Sequence, residues 1–140
     1  MNEMTNEARD AFLRDVRVAV LAIERSDKGP LCAPVWYRYT DDGRFQIAMA
    51  NDSAKALLLR RSGRASLCVQ QEALPYQYVT AEGEVSVDAV SDAERDAFLR
   101  EVAVRYLGDE LGQQYADNFP GHEEAIVTLT PRRWHTEVLG

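Results

Sequence analysis

No apolar run in this 140-residue chain approaches the ~20 residues that a bilayer span needs. The N-terminus, MNEMTNEARDAFLRD, lacks the basic-then-apolar order of a secretory signal. Cysteine is scarce: Cys32 and Cys68 stand in strand-like stretches and form no CxxC pair. A reduced, cytoplasmic protein with both thiols buried as small hydrophobes is expected. Only two histidines occur, His122 and His135, and neither has metal-ligand spacing to another His or Cys. A basic excess is missing too. The formal charge is −7, which argues against the broad basic face of a general nucleic-acid binder. Repeats, linkers and low-complexity tracts are absent, so residues 1–140 read as one domain. A chain of this length can bury roughly 70% of its unfolded surface, and needs no disulfide or metal to hold it.

What is present is a strand-rich pattern with a few helices. Thr5 is a candidate N-cap for a short helix that turns Ala8, Phe12, Leu13 and Val16 to one side. VAVLAIE (18–24) is continuously apolar and β-branched, as expected of a strand buried on both faces. LCAPVWYRYT (31–40) sets Ala33, Val35, Tyr37 and Tyr39 against Pro34, Trp36 and Arg38, with Pro34 making the strand irregular. After the DDG turn, Phe45, Ile47 and Met49 alternate with Gln46, Ala48 and Ala50. A short helix follows, capped by Asp52 or Ser53 and ended at Ser62-Gly63. ASLCVQQ returns to period two, and PYQYVTAEGEVSV turns Val79, Ala81, Gly83, Val85 and Val87 inward. Ser91 and Glu94 form a capping box for a helix that presents Phe98, Leu99, Val102 and Tyr106 and stops at Gly108. A second helical piece spans about 109–118, and AIVTLTPRRWHTEVL closes the chain as two strands hinged at Pro131. The sum is an α+β fold of six or seven largely antiparallel strands, nearly closed on itself and needing a helical lid.

The side chains offer no self-sufficient catalytic set. GHEEA (121–125) reads as a solvated loop, neither cysteine opens a helix, and Ser53 has no evident His and Asp partners. Chemistry, if any, must come from something bound. One stretch stands out against the acidic background: residues 53–71 hold Lys55, Arg60, Arg61 and Arg64 without a single acid. Lys55 falls in the first turn of its helix, where unpaired N–H groups favour an anion. Arg60 and Arg61 fall in the last turn, where cations stabilise the dipole without any ligand. Lys55 and Arg60 lie ~140° apart on an ideal helix, so one phosphate does not span both. A charge-assisted contact contributes about 1.5–3 kcal/mol. Micromolar binding needs about 8 kcal/mol. A ligand held here must therefore bury an apolar body as well. Trp36, Tyr76 and Tyr78, on non-core strand faces, are candidates for that burial, by a ligand or by a partner subunit.

PVWY, QIAMA, SAK, LRRSGRASLCV and PYQYVTAEGEVSV together resemble, in order and spacing, the pyridoxamine 5′-phosphate oxidase-like split-barrel proteins. Among them the chain is most similar to the flavin/deazaflavin-dependent oxidoreductases of the B type, over about residues 11–89 with a weaker echo at 128–134. The resemblance implies a six-stranded split β-barrel homodimer with two cofactor sites at the subunit interface, binding FMN or the deazaflavin coenzyme F420. By position it implies that Val35 and Trp36 border the ring and that Ala48, Met49 and Ala50 offer backbone to it. It places Ser53 and Lys55 on the family's phosphate-binding Ser-x-Lys and has Tyr76 reach the ring of the partner subunit; Arg61, from the cationic stretch itself, is a further candidate. The chain departs from the family in two places. Leu57-Leu58 stand where an Asn often follows the lysine, and Ser62-Gly63-Arg64 replaces a DPR turn. The C-terminal segment of true pyridoxamine phosphate oxidases is not matched, so vitamin B6 oxidation is not expected.

The function expected is an oxidoreductase moving hydride between a bound flavin-type ring and a small organic substrate. The alternative is a protein of the same fold that sequesters or carries the cofactor without turnover. Both expect self-association and neither expects nucleic acid or a membrane as partner. Haem is disfavoured by the paucity of histidines. FMN and F420 both bring a tricyclic ring and a phosphate to the same lysine, and the sequence selects neither.

Overall fold

The computed structural model describes residues 2–120 and 123–139; His122 lies outside them. Seven antiparallel strands form one sheet: β1 (Ala19–Ile23), β2 (Leu31–Val35), β3 (Arg38–Tyr39), β4 (Phe45–Ala50), β5 (Arg64–Gln71), β6 (Tyr76–Ala89) and β7 (Glu124–Leu139). Their order is β2-β1-β5-β6-β7-β4-β3. The two edge strands, β2 and β3, are consecutive in the chain and joined by Trp36-Tyr37 alone. Three residue steps span at most about 11 Å, so the sheet must curl until its edges nearly meet. This is the split barrel expected, with seven strands where six were anticipated. Residues 31–40 form two strands, β2 and β3, where one was expected. Tyr37 leaves the ladder: its N–H donates to Tyr106 Oη (3.1 Å), and its own hydroxyl donates to the Leu13 carbonyl (2.8 Å).

Alternation fills the interior. Leu21, Ile23, Phe45, Ile47, Leu67, Val69, Val79, Ala81, Val127 and Leu129 are buried in one core, to which the helices add Phe12, Leu13, Ala56 and Leu59. β1 is not buried on both faces as its composition suggested. Ala19, Leu21 and Ile23 are buried, while Val18 is 50% and Val20 41% exposed on the outside. Val16 falls beyond the first helix and is exposed.

The last two expected strands are one. β7 pairs with β6 along its whole length, with a register shift that sets Glu82 against Arg133 and Gly83 against Pro131. Arg132 is the extra residue, so Pro131, which cannot donate to a ladder, sits at a bulge where no regular bond is required. Gly83 makes the bulge possible, since a Cβ there would overlap the Thr130 carbonyl.

The helices begin and end where their caps dictate. α1 (Asn6–Arg14) starts at Thr5, whose hydroxyl accepts from Ala8 N–H. α2 (Ala54–Ser62) is capped by Ser53 and stopped by Gly63 at φ 69°. α3 (Asp92–Leu107) has the Ser91–Glu94 capping box, and Gly108 separates it from α4 (Asp109–Asp117). α4 lies against α3 through Gly112, where a Cβ would stand 2.5 Å from Val104 backbone. Arg105, near the end of α3, donates to the carbonyls of Leu13, Arg14 and Asp15, tying α3 to the end of α1. No helix among the described residues is long and apolar enough to cross a membrane.

Candidate functional site

Where the chain crosses from β2 to β3, α3 and α4 lie over the seam and leave a cavity of about 450 Å³. The seam supplies Pro34, Val35 and Trp36; β4 supplies Ile47 and Ala48; α3 supplies Phe98, Leu99 and Val102; α4 and the residues after it supply Tyr115 and Phe119. Val18 and Glu124 complete the apolar wall and the floor. Lys55, second residue of α2, brings an ammonium group to this lining and makes no hydrogen bond or ion pair with another described residue. Glu124 brings a carboxylate, only 4% exposed, to the same lining.

The seam is rigidly held. The Trp36 indole stacks on Tyr106 with centroids 4.8 Å apart and planes 5° from parallel. Tyr106 Oη accepts from Tyr37 N–H and donates to the Arg17 carbonyl (2.7 Å), so one side chain fixes both the ring and the backbone beside it. Tyr115 meets Trp36 at 5.8 Å, tilted by 49°. Beneath the seam, burial pushes the Tyr37 phenol up to about 12, with Tyr106 adding to the effect. Tyr39 is raised further by burial and by donating its hydrogen bond to Asp10 (2.7 Å).

Of the residues singled out in the sequence, Val35, Trp36, Ala48 and Lys55 come together in this cavity. Met49 points into the core, 5% exposed. Ala50 pairs with Glu124 at the end of β4, beside the cavity floor. Ser53 uses its hydroxyl to accept from Ala56 N–H (3.1 Å) as the helix cap. Arg61 lines a separate hollow of about 250 Å³ with Glu24, Arg25, Ser26, Leu58 and Ser62. Tyr76 is 48% exposed at the far end of β6, opposite Leu139. The two other cations are engaged. Arg60 donates to the Asn51 carbonyl (2.7 Å) and to its side chain, and Arg64 donates to Glu24 (2.6 Å). The expectation that both cysteines are buried fails for Cys32, which is exposed on the outer face of β2; Cys68 is half-buried and both are free thiols. No group of three or more potential metal ligands occurs among the described residues.

The walls from α3 and α4 were not anticipated as part of the site. Phe98, Leu99 and Val102 read in sequence as an ordinary core-facing stripe, and the structure spends part of that stripe on the cavity. The spacing of Leu107, Leu111, Tyr115 and Phe119, four apart across Gly108, was the available signal.

A family model described as pyridoxamine 5′-phosphate oxidase matches residues 5–137. Among solved structures, a conserved hypothetical protein from Mycobacterium tuberculosis superposes with a TM-score of 0.74 at 23% identity, covering 95% of this chain and 84% of its own. An F420 reductase gives 0.70 at 18% identity, covering 90% and 94%. A pyridoxamine 5′-phosphate oxidase-related, FMN-binding protein from Nostoc punctiforme gives 0.62 at 14% identity, covering 96% of each chain. At these identities the likeness is one of fold. No curated protein matches the sequence.

Proposed function

Because the chain belongs to the pyridoxamine 5′-phosphate oxidase family, we propose that it is a homodimeric oxidoreductase that holds FMN or coenzyme F420 in the seam cavity and reduces a small organic substrate. The observation that carries this reading is Lys55: a cation without a partner among the described residues, at a helix N-terminus, in the lining of a largely apolar cavity whose other charged residue is the buried Glu124. The dimensions suit a small-molecule site, which commonly has ~300–1,000 Å³ and a few polar groups on apolar walls. An anionic group is favoured beside Lys55 by the charge and by the positive end of the α2 dipole, where the Ser53 cap takes only the Ala56 N–H. Val35, Trp36 and Ala48 provide flat, uncharged contact for a ring, and Phe98, Leu99 and Val102 keep water off it. Tyr106 covers one face of Trp36, so a ligand has the other face and the edge to pack against. When bound, such a cofactor supplies the hydride chemistry for which the lining offers no nucleophile.

Self-association is supported by the outer face of the sheet. Val20 stands between Pro34 of β2 and Cys68 of β5, and the row continues through Thr80 to His135. Val18 and Val20 are exposed there, and Tyr76 and Leu139 are half-exposed at one end, an apolar patch beside the charged residues of the same face. A second copy related by a twofold axis would cover the same patch on both chains.

Absorption spectra of the purified protein, after addition of FMN or F420 and dialysis, test the reading directly. Retention of one coenzyme by the native chain, and its loss from Lys55→Ala, are expected; equal retention by both would remove Lys55 from the site. The second reading, binding without turnover, is favoured by the lining, whose described residues include no cysteine and no histidine. Reduced coenzyme that stays reduced in the presence of candidate acceptors would select it.

A further inference from the structure

Tyr106 is not among the residues that line the seam cavity, yet it touches the chain at two points beside that lining. Its ring lies on the Trp36 indole, with centroids 4.8 Å apart and planes 5° from parallel. Its hydroxyl accepts from the N–H of Tyr37 (3.1 Å) and donates to the carbonyl of Arg17 (2.7 Å). Arg17 and Tyr37 are the chain neighbours of Val18 and Trp36, which both line the cavity. Trp36 itself lies between β2 and β3, outside either ladder, so the sheet alone does not set its side chain. Tyr106 is held in turn: Arg105, beside it in α3, donates to the carbonyls of Leu13, Arg14 and Asp15. Val18 is 50% exposed and Pro34 is exposed, so the cavity is open on that side and a flat molecule reaches the lining without rearrangement.

We propose that Tyr106 is a positioning residue of the seam cavity: its ring holds the Trp36 indole in the orientation that packs on a flat ligand ring, while its hydroxyl holds the backbone on either side. Taking that ligand ring to be the coenzyme's rests on the reading above. An indole that turned freely in the empty cavity would have to be immobilised on binding, which weakens affinity by roughly 2- to 12-fold for one such side chain. The parallel indole–phenol pair removes that loss beforehand, because Trp36 is ordered before any ligand arrives. The two halves of the Tyr106 side chain therefore act on different quantities. The hydroxyl satisfies a backbone N–H that the ladder does not, and so supports stability. The ring supports affinity. A tyrosine with a structural role alone would lower affinity only as far as it lowered stability.

The test is titration of the full chain with lumichrome, an uncharged tricyclic ring without a phosphate, read by quenching of its fluorescence alongside urea unfolding. Tyr106→Phe loses both hydrogen bonds and keeps the ring. Its unfolding midpoint should fall, while its lumichrome affinity stays within about twofold of native. Tyr106→Leu loses the ring as well and should bind lumichrome roughly 3- to 10-fold more weakly. If Tyr106→Leu does not fold, Tyr106→Met, whose flexible chain fills the same space, carries the same prediction. In a Trp134→Phe background Trp36 is the one remaining indole, and its near-ultraviolet circular dichroism should persist in Tyr106→Phe and collapse in Tyr106→Leu. Equal losses of affinity in Tyr106→Phe and Tyr106→Leu, or native affinity in Tyr106→Leu, would overturn the proposal. So would a native chain that takes up no lumichrome. Lys55→Ala should bind lumichrome as the native chain does while losing coenzyme. A native chain that holds lumichrome but neither FMN nor F420 would sink the cofactor reading and leave Tyr106 in its role, so the two failures give different results.

Discussion

The seam cavity and the groove on the outer face of β1, β5, β6 and β7 have nearly the same volume, about 450 and 500 Å³, yet treat charge in opposite ways. The outer groove is a lattice of cross-strand ions. Glu24 holds Arg64 at 2.6 Å, Glu84 holds Arg132 at 3.2 Å, and Glu82 stands opposite Arg133. Its three carboxylates and three guanidinium groups answer one another, so little field is left for a ligand. The seam cavity has largely apolar walls, a buried carboxylate in Glu124 and one cation, Lys55, that no described residue pairs. A concavity becomes a binding site through what its own residues fail to satisfy, and size alone does not distinguish the two. This also explains the acid-free stretch from residue 53 to 71. Arg60 and Arg64 are spent on local structure, while Lys55 is kept for the cavity.

The largest expected effect falls on the frame of the charged groove. Gly83→Ala would drive a methyl group into the Thr130 carbonyl at the β6–β7 bulge. The neighbour is backbone and cannot swing aside, so a loss of about 3 kcal/mol or more is expected in urea unfolding. Coenzyme affinity of the protein that remains folded should be unchanged, because Gly83 does not line the cavity. A native midpoint for this variant would mean that the bulge is looser than the packing implies.

Next in size is Lys55→Ala. Losing one charge-assisted contact should weaken coenzyme binding by about 1.5–3 kcal/mol, or roughly 10- to 150-fold in dissociation constant. Stability should hardly move, since the ammonium group bonds no described residue. A calorimetric titration measures the first and thermal unfolding the second. A loss of stability without a loss of affinity would reverse the contrast between the two concavities.

Tyr37→Phe probes the seam that supports the cavity, through the hydrogen bond to the Leu13 carbonyl. Its removal should cost about 1 kcal/mol near neutral pH. The pH dependence carries a sign of its own. The phenol titrates near 10 when unfolded and near 12 in the fold, chiefly through burial, so unfolding releases its proton first as the solution becomes alkaline. The stability it contributes is therefore fully present below pH 10 and lost between pH 10 and 12. Tyr37→Phe should flatten that part of the curve, and an unaltered alkaline limb would place the titration elsewhere.

Much of the fold was legible because it rests on local rules. Thr5, Ser53, Ser91 with Glu94, Gly63 and Gly108 mark helix ends by capping chemistry, and the period of β4 and β6 marks which side faces the core. Three features were not legible. VAVLAIE reads as doubly buried because composition cannot say whether an outward valine meets solvent, protein or a second chain. The seam at Trp36-Tyr37 depends on the two sheet edges meeting, a consequence of strand order and not of the residues between them. The continuity of β7 through Pro131 depends on Gly83, some fifty residues away, which allows the bulge. For the site, Val35, Trp36, Ala48 and Lys55 were placed by family resemblance and by helix position. The α3 and α4 walls were missed because a core-facing apolar stripe and a cavity-facing one have the same period.

The smallest effect should come from the most conspicuous ion pair. Arg64 and Glu24 meet at 2.6 Å, and the guanidinium holds the Glu24 carboxyl below its usual range while the carboxylate raises Arg64. Both side chains are more than half exposed, at 72% and 53%, so water screens the attraction and each pays in lost freedom what it gains in contact. Arg64→Ala, Glu24→Ala and the double variant should therefore show no measurable change in thermal midpoint at physiological salt, and coenzyme binding should be native. The sign at acid pH follows from the lowered Glu24 carboxyl: whatever the pair contributes is present above the ordinary glutamate range and fades as pH falls through it. A coupling in the double-mutant cycle that persisted at high salt would show that the charged groove is desolvated in solution, as it would be if a second copy of the chain lay over this end of the sheet.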